Sequence, residues 1–213
     1  EELEADLLVV GAHEPRSMWQ SALPNTALHL MRLSPCPVLL VKELDSDGYS
    51  TILAAVDPAR GGNATDGGVL SAAQRFAGAF RSRLRAVHAF PDPAMFALAS
   101  AVEILPGVIL GAENVAELHR RAAAETVGRY GIDRERIDVR AGAPSAVILE
   151  VIREQQARLV ILGTSERGSL ERSILGSTAE AVAAEAACDV LLVPRHPEPL
   201  ARAARGSMEA RVS

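Results

Sequence analysis

The 213 residues carry 27 acidic against 22 basic side chains, a net charge of -5 without long blocks of either sign. That balance leaves no basic footprint for nucleic acid or for an anionic membrane. With 48% apolar residues the chain can bury a sizeable core, yet no apolar run approaches the roughly 20 residues that span a bilayer. The acidic start "EELEADLLVV" differs from the basic start of a signal peptide, so a cytoplasmic location is expected. Cys36 and Cys188, the only cysteines, lack both a disulfide framework and zinc-ligand spacing. They read as reduced, half-buried thiols.

The chain opens with "ADLLVVGAHEPRSMWQSALPNTALHLMRLSPCPVLLVK" from Ala5. This stretch aligns without a gap on "ARLVILGTSERGSLERSILGSTAEAVAAEAACDVLLVPR" from Ala157, at a constant offset of 152 residues. Gly11 meets Gly163, Glu14 meets Glu166, Thr26 meets Thr178 and Cys36 meets Cys188. Each copy reads as a buried strand, a turn region, a helix and a second buried strand. Met18 and Trp19, in the turn region of the first copy, read as packing residues.

Between the copies, "STILAAVDP" reads as a strand, "DGGVLSAAQRFAGAF" as a helix and "RLRAVHAF" as a strand. "GAENVAELHRRAAAETVGRYG" follows as a helix with Val115, Leu118, Ala122 and Val127 as its apolar positions and Gly131 as its stop. "RIDVRAG" is a strand, "APSAVILEVIREQQ" a helix with Pro144 in its first turn, and "RLVIL" a strand. Strands alternating with helices imply an α/β fold with a parallel sheet covered on both faces. Residues 91–113 are broken by proline and glycine and are expected to form a long loop with a short helix bordering a ligand site. Three regions result: 1–45, part of a first unit; 50–195, a complete second unit; and 196–213, a frayed tail.

In such a sheet, ligands sit outside the carboxyl ends of the strands. Gly163 follows a strand at such an end, and Gly176 and Ser177 precede a helix whose free amides attract an anion. The residues themselves admit a second reading, because Ser177 and Glu180 at S-x-x-E spacing form a capping box that needs no ligand. Asp57, at the end of the first complete strand, suits a ribose or base rather than a phosphate. His88 reads as a structural histidine. No Ser-His-Asp set occurs, and Asp57, Glu166 and Glu180 have no metal spacing, so the residues give an enzyme little support.

"ILAAVD" near the start of a unit, "GTSERGSLERSILGSTAEAV" near its end and the closing "CDVLLVPR" together resemble the universal stress protein family. The resemblance covers Ser50 to Arg195 and, as a partial first unit, Ala5 to Lys42. It implies an open five-stranded parallel sheet in the order 3-2-1-4-5, with a partial second copy of the same unit. It also implies ATP, with or without magnesium, bound through a motif G-x2-G-x9-G-S/T. Gly163 matches the first glycine of that motif and Gly176 with Ser177 its end, while Glu166 stands where the middle glycine belongs. A carboxylate there would repel phosphate unless Arg167 or Arg172 compensates. Gly168 partly restores the flexibility of that loop.

By the same resemblance Asp57 faces the adenine or ribose and Ala55 and Ala89 line the base pocket. Leu162 supplies backbone contacts, Thr164 continues the glycine turn, and Thr178 adds a helix amide. The first copy departs further, with Glu14 for the glycine and Pro24-Asn25 for Gly176-Ser177. Proline has no amide to give, so that copy is expected to bind no nucleotide, with Asn25 as a plain helix cap. The implied role is regulation of a stress response. The rivals are an interaction protein of the same fold that binds no nucleotide, and a slow ATP hydrolase. The closing strands "PVLLV" and "DVLLV" are apolar edges expected to pair as a dimer fused into one chain, with Cys36 and Cys188 approaching the axis from either side. A homodimer of the whole chain stays open.

Overall fold

The computed structural model describes residues 5–11, 25–42, 48–58, 64–92, 106–164 and 175–194, without the side chains of 25–28, 64–65 and 106–113. In chain order the elements are β1 (Leu8–Gly11), α1 (Asn25–Leu33), β2 (Val38–Val41), β3 (Thr51–Ala55), α2 (Ala64–Phe80) and β4 (Arg83–Phe90). They continue as α3 (Pro106–Gly128), a 3-10 turn (Arg134–Arg136), β5 (Ile137–Ala141), α4 (Pro144–Glu154), β6 (Leu159–Gly163), α5 (Ser177–Glu185) and β7 (Asp189–Val193).

The strands form one sheet of seven in the order β1-β2-β7-β6-β3-β4-β5, parallel except where β2 meets β7. It is a continuous sheet across residues 8–193, wider than the five strands expected for one unit, because β7 does not stay an edge. β3, β6 and β7 are apolar runs buried on both sides, as a parallel sheet between two helical layers requires. One core, with Leu53, Val87, Val160 and Leu162, lies under α4 and α5. The other, with Ile52, Ala54, Leu159 and Ile161, holds Val69 and Leu70 of α2 and Val127 of α3.

The two similar segments pair their strands alike. Leu8 stands opposite Val38 as Val160 stands opposite Val190, and Gly11 opposite Val41 as Gly163 opposite Val193. Across the antiparallel junction Leu39 faces Leu191, its own counterpart in the alignment, so a local two-fold axis passes through this pair. Cys36 and Cys188 each precede that leucine by three residues on oppositely directed chains. A rise of about 3.4 Å per residue therefore places them roughly 20 Å apart. They do not meet at the axis, and a disulfide between them is excluded geometrically.

One end of the junction is locked by polar groups. Asp189, 4% exposed, accepts the backbone N–H of Lys42 at 2.8 Å and the Tyr49 hydroxyl at 2.7 Å. Lys42 Nζ donates to the carbonyls of Ala186 at 2.7 Å and Ala184 at 3.4 Å, at the C-terminal end of α5. Burial lowers the Lys42 pKa and pushes the adjacent Cys188 thiol up to about 12. Burial and the bond to Asp189 raise that of Tyr49.

Two sequence expectations are corrected. α3 begins at Pro106, so residues 106–113 belong to its first turns rather than to a loop, because proline at the first helical position sacrifices no hydrogen bond. Residues 93–105, residue 195 and the tail 196–213 lie outside the described residues. Leu118 is 66% exposed; the inward face of α3 is instead His119, Ala123 and Val127, at i, i+4 spacing.

Candidate functional site

The chemistry suggested by the sequence converges at the carboxyl ends of β3, β4 and β6. Side chains alternate across a strand, so Ala55, Ala89 and Leu162 share the α4 and α5 face with Leu53, Val87 and Val160. Ala55 stands level with Val87 of β4, and Ala54 opposite Ile161 puts Leu162 beside Ala55 one residue on. Ala55 and Ala89 are half-buried, and as alanines they fill little of the space above the sheet.

The end of β6 is tied to the start of α5. Thr164 donates its amide to Val193 O at 3.2 Å, and Gly176 donates its own to Thr164 O at 2.9 Å. These bonds hold Gly163, Thr164, Gly176, Ser177 and Thr178 together beside the strand ends. Glu166, with Arg167, Gly168 and Arg172, lies outside the described residues, as do Glu14, Met18 and Trp19.

The capping box does not form. Gly176 is the N-cap, in extended backbone with φ -63 and ψ 145, and Ser177 is already the first helical residue. A hydroxyl there sits one position too late to close the box, and Glu180 turns away to Arg32, Oε2 accepting from Nη2 at 3.1 Å. The first turn of α5 therefore receives no side chain from its cap, while the helix dipole keeps its positive end at the strand mouth.

Asp57 is half-buried just beyond β3, and its backbone N–H donates to Asp66 Oδ1 at 3.1 Å. Asp66, buried in the first turn of α2, thereby fixes the chain at Asp57. Behind this turn, on the opposite face of the sheet, lies a histidine pair. His88 is 2% exposed, with Nδ1 3.1 Å from Val56 O and Nε2 2.8 Å from His119 Nδ1. A carbonyl only accepts, so His88 Nδ1 carries the proton and Nε2 accepts from His119. His119 also stacks on Phe90, centroids 4.5 Å apart and rings 11° from parallel. Burial lowers the His88 pKa; the bond to Val56 and the Asp57 charge act the other way, and His119 lowers it further.

This agrees with His88 as a structural group. Asp66 and His119 were not singled out in the sequence. The signal for His119 was its spacing from Ala123 and Val127, and for Asp66 its place at the opening of a helix. Among the described residues no cluster of three or more metal-ligating side chains occurs.

A family model described as the universal stress protein family matches residues 1–42 and 48–194. A universal stress protein of Thermus aquaticus is 32% identical over 146 residues, 68% of this chain and 98% of that protein. Universal stress protein E of Salmonella typhi is 28% identical over 192 residues, 88% of this chain, and the chain spans 60% of that relative's length. Among solved structures, a functionally unknown protein of Pseudomonas aeruginosa PAO1 superposes with a TM-score of 0.72 at 24% identity. The match covers 96% of this chain and 68% of that one, and shows the fold.

Proposed function

Because the chain belongs to the universal stress protein family, we propose that it is a stress-response regulator that binds an adenine nucleotide, ATP with or without Mg2+, at the strand ends of residues 51–194. In this reading the amides of Ser177 and Thr178 and the Ser177 hydroxyl hold phosphate, Gly163 and Thr164 let the backbone approach it, and Leu162 offers backbone contacts. Asp57 takes the ribose or base, and Ala55 and Ala89 leave room for the ring. The observation that carries the reading is the first turn of α5: its N-cap is a glycine with no side chain to cap the amides, and the bond from Gly176 to Thr164 sets this positive helix end beside the strand mouth. ATP supplies a phosphate charge that this helix end complements.

Ser177→Pro is the discriminating variant. Proline is tolerated at the first helical position, and the extended backbone of Gly176 suits the residue before a proline. The variant loses one amide and one hydroxyl at the strand mouth, and its melting temperature reports whether the fold is kept. A hydrogen bond to a charged group contributes about 1.5 to 3 kcal/mol, so titration calorimetry should show Mg-ATP affinity falling by roughly tenfold or more. Glu166→Gly should raise affinity, since it removes a like charge from the motif. No heat and no thermal shift with the native chain at millimolar Mg-ATP would favour the interaction-protein reading, in which Glu166 closes the phosphate site.

A further inference from the structure

The turn that carries Asp57 is fastened from three sides. Val56 donates its amide to Val87 O at 3.0 Å, Asp57 donates its own to Asp66 Oδ1 at 3.1 Å, and Val56 O accepts from His88 Nδ1 at 3.1 Å. The third bond needs the His88 proton on Nδ1, and α3 selects that tautomer, because His119 Nδ1 donates to His88 Nε2 at 2.8 Å. His119 also anchors its own helix. Among the described residues of α3 the buried side chains are Ala123 and Val127, one and two turns after His119, and none is buried from 114 to 122. Stacked on Phe90 and bonded to His88, His119 ties the sheet to the stretch of α3 where apolar burial gives out.

The pair accommodates one proton but not two. A proton on His119 Nε2 leaves its Nδ1–H still donating to His88. A second proton, on His88 Nε2, sets two N–H groups against each other across 2.8 Å and two cationic rings with centroids 5.0 Å apart, one of them 2% exposed. The surroundings offset little of this. Asp57 favours the cation, while Asp66 in the first turn of α2 holds the Asp57 N–H with Oδ1. β5 sets Val139 opposite His88, and Asp138 and Arg140 on either side turn to Arg85, Glu150 and Glu154 on the other face of the sheet. On α3, Glu117, Arg120 and Arg121 pair with one another toward solvent. Burial outweighs Asp57 and holds the closed His88 below its ordinary value.

We propose that His88 and His119 are positioning residues that form a proton-operated latch: closed, they hold the Asp57 turn and residues 114–122 of α3 to β4, and a second proton on the pair releases both. The latch acts on the turn whether or not a ligand occupies the strand mouth. Once open, His88 titrates near the ordinary value of about 6.5, so at pH 5.5, one unit below it, proton uptake favours the open form about tenfold. At pH 7.5 the closed form keeps nearly all of its advantage.

Imidazole NMR and hydrogen exchange on the whole chain test this. At pH 7.5 the His88 proton should sit on Nδ1; a proton on Nε2 would overturn the proposal. Amide protection factors at Asp57 and residues 116–122, divided by those of residues 160–162 in β6, should fall about tenfold from pH 7.5 to 5.5. A ratio that stays constant would overturn it as well. Two variants separate the pair from a histidine that is merely buried. His88→Gln takes up no proton, and His119→Asn carries an amide at the position of Nδ1 that can turn its oxygen toward a protonated His88. In both, the ratio should change by less than about threefold. An acid response lost in His88→Gln but kept in full in His119→Asn would belong to His88 alone and sink the latch. Should either variant lose its cooperative melt, the tautomer and the ratio in the native chain still decide.

Discussion

Replacing Asp189 with alanine removes the one acceptor shared by Lys42 N–H and the Tyr49 hydroxyl, in a site only 4% exposed. Each donor left without a partner costs about 1 to 3 kcal/mol, so the variant should lose roughly 2 to 6 kcal/mol. For a chain of this size each kcal/mol shifts the melting temperature by about 2 to 4 °C, which predicts a fall of roughly 4 to 24 °C. Tyr49→Phe removes a donor along with its bond and should cost about 1.5 to 3 kcal/mol. The double variant leaves only Lys42 N–H orphaned, so its cost should fall short of the sum of the single variants by about 1 to 3 kcal/mol. Arg32→Ala is the control: it breaks an ion pair whose partners are each 43% exposed and should cost less than about 1 kcal/mol. Urea denaturation of the native protein and the four variants supplies the free energies, and thermal melts supply the temperature shift. An Asp189→Ala cost no larger than that of Arg32→Ala, or strict additivity with Tyr49→Phe, would refute the junction as a buried lock.

Burial holds the His88 pKa below its unfolded value of about 6.5, so the unfolded chain takes up that proton first. Stability is then full above about pH 6.5 and falls below it; melting curves of His88→Gln between pH 7.5 and 5 should show a shallower decline than the native protein. Gly78 lies within α2 with open space at its Cβ position, so Gly78→Ala should stabilise by about 0.5 to 1 kcal/mol in denaturant titration. Gly142 has φ +142 and a Cβ there would lie 3.1 Å from Val147 Cγ2, so Gly142→Ala should destabilise by about 1 to 3 kcal/mol in the same assay. With a thiol pKa pushed up to about 12 by burial, Cys188 should react with a disulfide reagent at pH 8 only as fast as the protein unfolds, and mass mapping of labelled peptides would reveal any faster reaction.

The strands and helices were legible because their causes are local. "TILAA", "LVILG" and "DVLLV" are runs long enough for a strand buried on both faces, and the repeat gave both copies the same order of strand, turn, helix and strand. The groups that decide the site's rigidity were not legible. Asp189 reads as the flank of an apolar run, and only the fold brings it to Tyr49, 140 residues away in sequence. The S-x-x-E spacing at Ser177 was misleading because a capping box depends on which residue is the N-cap, and Gly176 takes that place. The start of α3 was obscured by Pro106, Gly107 and Gly111, residues that weaken a helical pattern without forbidding a helix.

The antiparallel junction sets what residues 5–42 contribute to the candidate site. Strands on either side of it point opposite ways, so the carboxyl ends of β1 and β6, with Gly11 and Gly163, lie toward opposite ends of the sheet. A single small ligand at Ser177 therefore does not touch both segments' glycine turns. The first segment acts on the second by other means. β7 is buried at all five residues, and without β2 its edge would be an apolar strand open to pairing with another chain. β2 closes that edge with Leu40, 0% exposed, opposite Val190. Lys42 then places a cation on the last carbonyls of α5, where the helix dipole is negative, while the positive end of the same helix faces the strand mouth. The segment that lacks the phosphate motif thus secures both the edge and the helix on which the proposed phosphate binding by its neighbour would depend.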